Sequence, residues 1–194
     1  MVRSLGYSFD YFIDSSKQLA TKRIGHKKFW NVVGHVIGSW MAAWSVLFLG
    51  SKCLPFYFEL MLITIKLLIC IIQEPPAGFA YSLLYCLLGY HAVLVQHGST
   101  VFQGLLILSL GFGFNLIGHL IFEDVQSLER YKKGDDPLFQ LCDFINEIFF
   151  QEFHFSLLFI LRMGLLPVLE WRSDVDLRKA LDKITLIRKG HRGP

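Results

Sequence analysis

Three polar side chains recur at every fourth position near the end of an apolar stretch of this sequence: Asn115, His119 and Glu123. On an α-helix this spacing places all three on one face. The stretch 100–122 is long enough to cross a bilayer, and imidazole and carboxylate groups are costly at that depth. Since a histidine and an acid one turn apart can share an ion, the pattern predicts a metal site between membrane helices.

A second group of polar residues, His26, Asn31 and His35, lies where the first apolar run begins. His26 and His35 are nine positions apart, which puts them on opposite sides of a continuous helix. Both reach one site only if His26 precedes the helix on a chain that turns back. Asn31 shares a face with His35 and is expected to orient a ligand imidazole. The alternative is that His26 belongs to the basic flank it forms with Lys27 and Lys28.

Further histidines are candidates to complete the coordination shell. His91 and His97 are six positions apart, so a continuous helix points them in different directions, and periodicity does not choose between them. They also fall at the opposite membrane surface from His35, which conflicts with a shared site unless the third helix is short or broken. His154 is either another ligand or a buried hydrogen-bonding residue, and His191 is expected to face solvent.

The elements that must position these residues are long apolar helices. Of the 194 residues 53% are hydrophobic, and the charged ones concentrate in 1–28, 123–136 and 170–191. This layout predicts an all-α, polytopic membrane helical bundle. Four transmembrane helices are expected, at 29–49, 55–72, 77–96 and 101–122. The segment 138–169 is expected to add a fifth hydrophobic element that re-enters the membrane or pairs as a helical hairpin, because its purely apolar half is short for a span.

Basic residues flank the membrane part at both ends, which predicts three regions. These are a cytosolic or interfacial segment at 1–28, a membrane-embedded catalytic domain at 29–169 and a basic cytosolic tail at 170–194. With both termini in the cytosol, the number of crossings must be even. The charges lack the aromatic-basic interleaving of a nucleic-acid-binding domain. The four cysteines include no CxxC pair, so neither a disulfide framework nor a thiolate zinc site is expected.

Local patterns predict how the helices pack. The first membrane helix carries small residues one turn apart, at Gly34, Gly38 and Ala42. Such a row permits close contact with a neighbouring helix. Glu59 and Lys66 share a helix face, and they either pair directly or reach opposite membrane surfaces. The lead-in at 5–28 is either an amphipathic segment at the membrane surface or a short helix packed on the bundle.

Taken together, these residues resemble the 2-hydroxy fatty acid dioxygenase family, which consists of small membrane proteins of the endoplasmic reticulum. The resemblance rests on His26-x4-Asn31-x3-His35, on a mid-chain histidine and on the block GFGFNLIGHLIFE at 111–123. It spans 25–167, most of the chain, and the Gly-His-x-x-Phe-Glu part of the block is the most specific.

This sequence departs from the family pattern at three places. The family often has glutamine where Asn115 stands. It usually has a proline soon after the acid, whereas Pro137 here follows a charged insertion. The spacing of the mid-chain histidines also differs, which leaves the choice between His91 and His97 open.

The resemblance implies an Fe(II)-dependent oxygenase that uses O₂ to shorten a 2-hydroxy fatty acid by one carbon. This is a step of fatty acid α-oxidation, including degradation of the phytosphingosine backbone. A 2-hydroxy acid can chelate iron through its hydroxyl and carboxylate, which orients it beside O₂. The candidate metal ligands are His26, His35, His91, His97, His119 and Glu123. The candidate catalytic residues are His119, Glu123, Asn31 and Asn115. The expected partners are the hydroxy acid, O₂ and membrane lipid, in the endoplasmic reticulum membrane.

Two other classes of protein fit the same histidines. In a haem electron-transfer protein, paired histidines of facing helices would be the axial ligands. In a non-catalytic membrane scaffold or lipid-binding protein, they would be interhelical hydrogen-bond partners. The His-x-x-His-His clusters of di-iron lipid hydroxylases and desaturases do not occur in the sequence, which argues against that chemistry.

Overall fold

Helices account for every regular element in the part of the chain that the structure describes. The computed structural model covers residues 9–95, 98–122 and 137–190, without the side chains of 95 and 183–190. After a 3-10 turn at Phe9–Ile13, the helices are α1 (Ser15–Gly25), α2 (Phe29–Cys53), α3 (Phe56–Gln73), α4 (Pro75–Tyr90), α5 (Val101–Phe122), α6 (Pro137–Arg162) and α7 (Pro167–Gly190). A π-helical turn at His91–Val95 continues α4. The predicted all-α architecture is confirmed.

Five of the described helices are long and apolar enough to cross a membrane: α2, α3, α4 as far as Leu94, α5 and α6. The protein is therefore an integral membrane protein. The bounds of α5 coincide with the predicted 101–122, and α2 continues to Cys53, past the predicted end at 49. The last turn of α2 contains Ser51 and Lys52, which interrupt the apolar pattern without ending the helix.

The closest helix pair is α2 with α5, which run antiparallel. A Cβ on Gly111 would lie 2.6 Å from the carbonyl oxygen of Gly38, and a Cβ on Gly38 would collide with the carbonyl oxygen of Gly111. Further along, a Cβ on Gly104 would lie 2.7 Å from the ring of Phe48. The predicted close contact at the small residues of α2 is thus confirmed. It brings the start of α2 beside the end of α5.

A buried ion pair joins α3 to α6. Lys66 pairs with Glu152, and its Nζ also donates to the hydroxyl of Tyr85 (3.2 Å). The hydroxyl of Tyr81 donates to Glu152 (2.6 Å). Of the two arrangements expected for Glu59 and Lys66, the direct pair does not form, and Lys66 is paired in the interior instead of reaching a surface. Its partner lies far away in sequence, where helix periodicity cannot identify it.

The N-terminal helix α1 packs on the bundle. Asp14 caps it by accepting hydrogen bonds from the backbone amides of Ser16 and Lys17. Gln18 is fully buried and accepts from the side-chain amide of Asn146 in α6 (2.9 Å). Of the two alternatives for the lead-in, the packed helix is therefore the one that forms, although Phe9 and Ile13 in the preceding turn remain exposed.

Although α6 has 26 residues, both of its ends lie at the same end of the bundle. Near its start, Phe139 packs on Phe12 (ring centroids 5.1 Å apart), whose carbonyl accepts from Gln73 at the end of α3. At its other end, Arg162 donates to the carbonyls of His26 and Lys27, just before α2 begins. The fifth hydrophobic segment therefore lies against the bundle as one continuous helix.

Helix α7 covers the same end of the bundle. Arg172 donates to Glu74 at the start of α4 (2.5 Å), and Asp174 pairs with Arg23 of α1 (2.6 Å). We call α1, α6 and α7 together the capping layer. It packs against the start of α2, where two of the predicted ligands, His26 and His35, lie.

Candidate metal centre

Three histidines from separate segments converge under the capping layer: His26, His35 and His119. Each offers one ring nitrogen, and the three nitrogens lie within 4.8 Å of one another. The Nε2 atoms of His35 and His119 are 3.1 Å apart. The ring of His26 lies 4.5 Å from that of His35 and 4.8 Å from that of His119, measured between centroids.

The spacing of His35 and His119 suits two ligands of one ion as well as a hydrogen bond between the rings. Imidazole nitrogens bind first-row metals such as zinc at about 2.0–2.1 Å, so two ligands at right-angled to tetrahedral positions stand roughly 2.9–3.4 Å apart. The spacing of His35 and His119 falls in that range. The donor set, three imidazoles, is the kind that zinc, copper, iron and nickel accept.

His26 is the ligand best prepared by its surroundings. It is the residue that ends α1, with φ −127° and ψ 76°, so the chain turns back before α2 as predicted. Because the carbonyl of Lys22 can only accept, the Nδ1 of His26 donates to it (2.9 Å), which leaves the lone pair on Nε2. That Nε2 is buried and has no hydrogen-bond partner among the described residues. A carbonyl bound to the far nitrogen is how proteins commonly orient a metal-binding histidine.

Burial and the nearby ammonium group of Lys22 lower the pKa of His26 to about 3. At neutral pH this imidazole is therefore uncharged, which is the form that binds a metal. Lys22 itself is 1% exposed and pairs with Glu147 of α6.

An aromatic side chain of α6 closes the site. The ring of Phe155 stacks on His35 at 4.3 Å with an interplanar angle of 11°, and it meets the ring of His26 edge-on at 4.8 Å. Its other neighbour is the Nζ of Lys22, 4.8 Å from the ring centroid. Since Phe155 is 1% exposed, it fixes the orientation of two imidazoles and excludes water from that side.

Two buried amides lie one turn from the ligands. Asn31 is fully buried, and neither atom of its amide has a hydrogen-bond partner among the described residues. The Oδ1 of Asn115 is likewise buried without one. A Cβ on Gly118 would collide with the Oδ1 of Asn31, so the absence of a side chain there makes room for the amide beside His119. Asn31 does not make the expected hydrogen bond to a ligand imidazole.

The structure does not bring His91 or His154 into this group. His91 is exposed, and its Nδ1 accepts from the indole nitrogen of Trp44 (3.0 Å). Trp44 is nine residues beyond His35 on α2, which corresponds to about 13 Å along the helix. The Nε2 of His154 donates to the amide oxygen Oε1 of Gln73 (3.1 Å), so of the two alternatives His154 is the buried hydrogen-bonding residue.

Three of the predicted positions lie outside the described residues: His97, Glu123 and His191. Glu123 directly follows the last residue of α5.

Sequence reasoning missed Phe155 and the backbone of Lys22. The available signals were weak. Lys22 stands four positions before His26, the spacing at which a helix carbonyl meets a residue one turn later. Phe155 is one of 18 phenylalanines, and nothing in its spacing distinguishes it from the others.

Comparisons of this chain with models of protein families, with curated proteins and with solved structures find no match.

Proposed function

We propose that this protein is a membrane-embedded, Fe(II)-dependent dioxygenase that shortens 2-hydroxy fatty acids by one carbon with O₂. The observation that carries the proposal is the convergence of His26, His35 and His119 on one buried point. The family resemblance of the sequence, on the motifs that contain these residues, supplies the reaction.

The unused Nε2 of His26, next to two other imidazoles, favours a metal centre over a structural role for these histidines. In a scaffold, each buried imidazole should satisfy both nitrogens with neighbouring groups. Here the Nε2 of His26 is buried without a hydrogen-bond partner among the described residues. The Nδ1 of His154 is also unpartnered among them, so this feature alone does not distinguish a metal ligand. What distinguishes His26 is that its ring lies beside the rings of two other histidines. An ion next to the Nε2 of His26 would satisfy that atom.

The spacing of the imidazoles disfavours a haem protein. Two axial ligands on opposite sides of one iron stand about 4 Å apart, twice a metal–nitrogen bond of roughly 2 Å. The Nε2 atoms of His35 and His119 are 3.1 Å apart, and the third imidazole contacts both rings. There is no space for a porphyrin between the rings of His35 and His119.

Bound Fe(II) would supply the activation of O₂, with the three histidines as its protein ligands and Glu123 as a further candidate. The carbonyl of Lys22 holds the proton of His26 on Nδ1, and Phe155 keeps the His35 ring in place. The Nδ2 of Asn31 is suited to donate to the substrate carboxylate and the Oδ1 of Asn115 to accept from the substrate hydroxyl, since neither atom has a hydrogen-bond partner among the described residues.

The acyl chain fits the apolar surface of the bundle. Beside His119, helix α5 exposes Leu116, Ile117 and Leu120. A head group at the capping layer and a chain along α5 match an amphiphilic substrate that reaches the site from the bilayer. We also propose that the capping layer faces the cytosol at the endoplasmic reticulum, because the basic residues that flank the spans lie in its chain segments.

The decisive experiment is anaerobic reconstitution of the purified full chain with Fe(II), followed by O₂ and a 2-hydroxy fatty acid. Mass spectrometry of the product should show the acid one carbon shorter. Non-hydroxylated fatty acid of the same length, which cannot chelate through a 2-hydroxyl group, should remain intact. If the protein binds one iron per chain but forms no product, the metal centre stands and the proposed reaction is overturned. A Soret band from the purified protein would favour the haem alternative.

A further inference from the structure

A cavity of about 140 Å³ lies between α2, α3, α5 and α6, apart from the three histidines. Its apolar wall includes Val46, Leu62, Leu108 and Phe112. It extends along α2 as far as Leu54, toward the end of the bundle that the capping layer does not cover.

One carboxylate on this wall is buried without compensation. Glu59 is 9% exposed, and its Oε1 has no hydrogen-bond partner among the described residues. The carboxylate lies close to Gly50: a Cβ on that glycine would be 2.9 Å from Oε1. The two cations nearest to Glu59 along the chain, Lys52 and Lys66, are each seven positions away; Lys52 lies over the ring of Phe48, and Lys66 pairs with Glu152. An unpaired carboxylate next to apolar space is costly, so this position is suited to a ligand that supplies the missing partner.

The charges of the cavity indicate the sign of that ligand. The charged side chains that line it are Glu59, Glu152 and Lys66. Lys66 is already bound to Glu152 and Tyr85. Two carboxylates against one ammonium group leave one negative charge, and it belongs to Glu59.

We propose that this cavity binds a single-chain amphiphile with a protonated primary amine, the amine at Glu59 and the first part of the alkyl chain in the apolar part. A cavity of this size holds about one benzene ring, so the rest of the chain would lie in the bilayer beside the exposed Val46 and Phe112. Glu59 lies in the first turn of α3 and beside the last turn of α2, so the amine stays near a membrane surface while the chain enters the protein. The amine position, at Glu59 and Gly50, is at the opposite end of α2 from His35, although the cavity extends back along α2 to Ser39. Amine binding does not depend on a metal at His35. The function of the cavity as a binding site is therefore separate from the proposed reaction.

Native mass spectrometry of the full chain in detergent, titrated with dodecylamine, dodecanol or dodecanoate, tests the proposal. One dodecylamine should bind per chain, more tightly than either of the other two compounds. Glu59→Gln should weaken dodecylamine binding about tenfold or more and leave dodecanol binding unchanged. The control Asp182→Asn removes one negative charge from an exposed position of α7 and should change neither.

A second variant tests the alkyl part. Val46 is 52% exposed at the cavity, so Val46→Trp should narrow it without disturbing the core, and binding of both the amine and the alcohol should fall. The proposal is overturned if dodecylamine binds wild type and Glu59→Gln equally, if dodecanol or dodecanoate binds as tightly as the amine, or if none of the three binds. Elution volume in size exclusion checks that each variant is folded.

Discussion

The Nε2 atoms of His35 and His119 lie 3.1 Å apart, although 84 positions separate the two residues in the sequence. Their contact depends on the antiparallel packing of α2 and α5, which glycines on both helices make possible. The third imidazole, from His26, comes from a turn outside either helix. The proposed metal binding is therefore expected to depend on the packing of these helices as well as on the three histidines.

Replacing His119 by alanine should remove bound iron and product formation together, because two imidazoles offer too few ligands to retain the ion. Metal content by mass spectrometry and product analysis check this. The matched control is His91→Ala, since His91 binds Trp44 far from the site. Iron retained in His119→Ala would remove that residue from the ligand set, and iron lost in His91→Ala would place the centre elsewhere.

Replacing Phe155 by leucine should weaken metal binding about tenfold, because supporting groups around a metal ligand typically contribute that much or more. The ring that holds His35 and His26 is lost while the position stays apolar. Phe153→Leu is the control, since Phe153 is equally buried but packs on Tyr81. Competition with a metal-binding dye measures both affinities, and equal losses in the two variants would contradict the role given to Phe155.

Replacing Asn31 by alanine should leave iron bound and lower kcat/KM roughly 10–100-fold, the effect of losing a hydrogen bond to a charged group. The amide is buried without a described partner, so we expect it to contact substrate and not to hold the ligands. The measurement is iron content beside steady-state kinetics. Loss of iron with unchanged kcat per bound iron would make Asn31 part of the metal-binding structure instead.

Replacing Gly38 by alanine should destabilise the protein by about 1–3 kcal/mol, the usual cost of overpacking a close contact. The new Cβ would collide with the carbonyl oxygen of Gly111 and push α5 away. Gly113→Ala is the control on the same helix pair, because nothing lies within 4 Å of its added Cβ, and it should be neutral or stabilising by up to about 1 kcal/mol. Thermal unfolding in detergent compares the two variants.

Replacing Lys66 by methionine should destabilise the protein by roughly 3–5 kcal/mol, because Glu152 would remain as a buried, unpaired carboxylate. The double variant Lys66→Met/Glu152→Gln should recover most of that loss, since the amide still accepts from Tyr81 and carries no charge. Unfolding in denaturant measures both. A double variant no more stable than the single one would mean that the charge of Glu152 is not the source of the loss.

Much of the fold follows from hydropathy and from glycine spacing. An apolar run as long as α5 can cross a bilayer only as an α-helix, because every backbone hydrogen bond must be made within the segment. Its bounds were therefore predicted correctly. The turn at His26 follows only if His26 and His35 share a site, because residues nine positions apart cannot share a helix face; the spacing alone left open that His26 belongs to the basic flank. Which spans contact each other cannot be predicted from the sequence. A row of small residues predicts that another helix packs closely but does not identify that helix.

The parts of the site contributed by α6 were beyond sequence reasoning. Lys66 pairs with Glu152, and Phe155 stacks on His35, only because α6 lies against one end of the bundle. The mixed polar and aromatic sequence of α6 is compatible with several depths in a membrane. Its depth is set by contacts with α1 and α3, which are distant in the sequence. Helix periodicity describes one element at a time, so it carries no information on such pairs.

The order of the ligands along the chain has a consequence for biosynthesis. His26 and His35 leave the ribosome 84 or more residues before His119, an interval of about 4–17 s at ordinary elongation speeds. Phe155 follows later still. A nascent chain thus presents two imidazoles long before the third can join them, so the proposed metal binding is expected to follow the synthesis of α5 and α6.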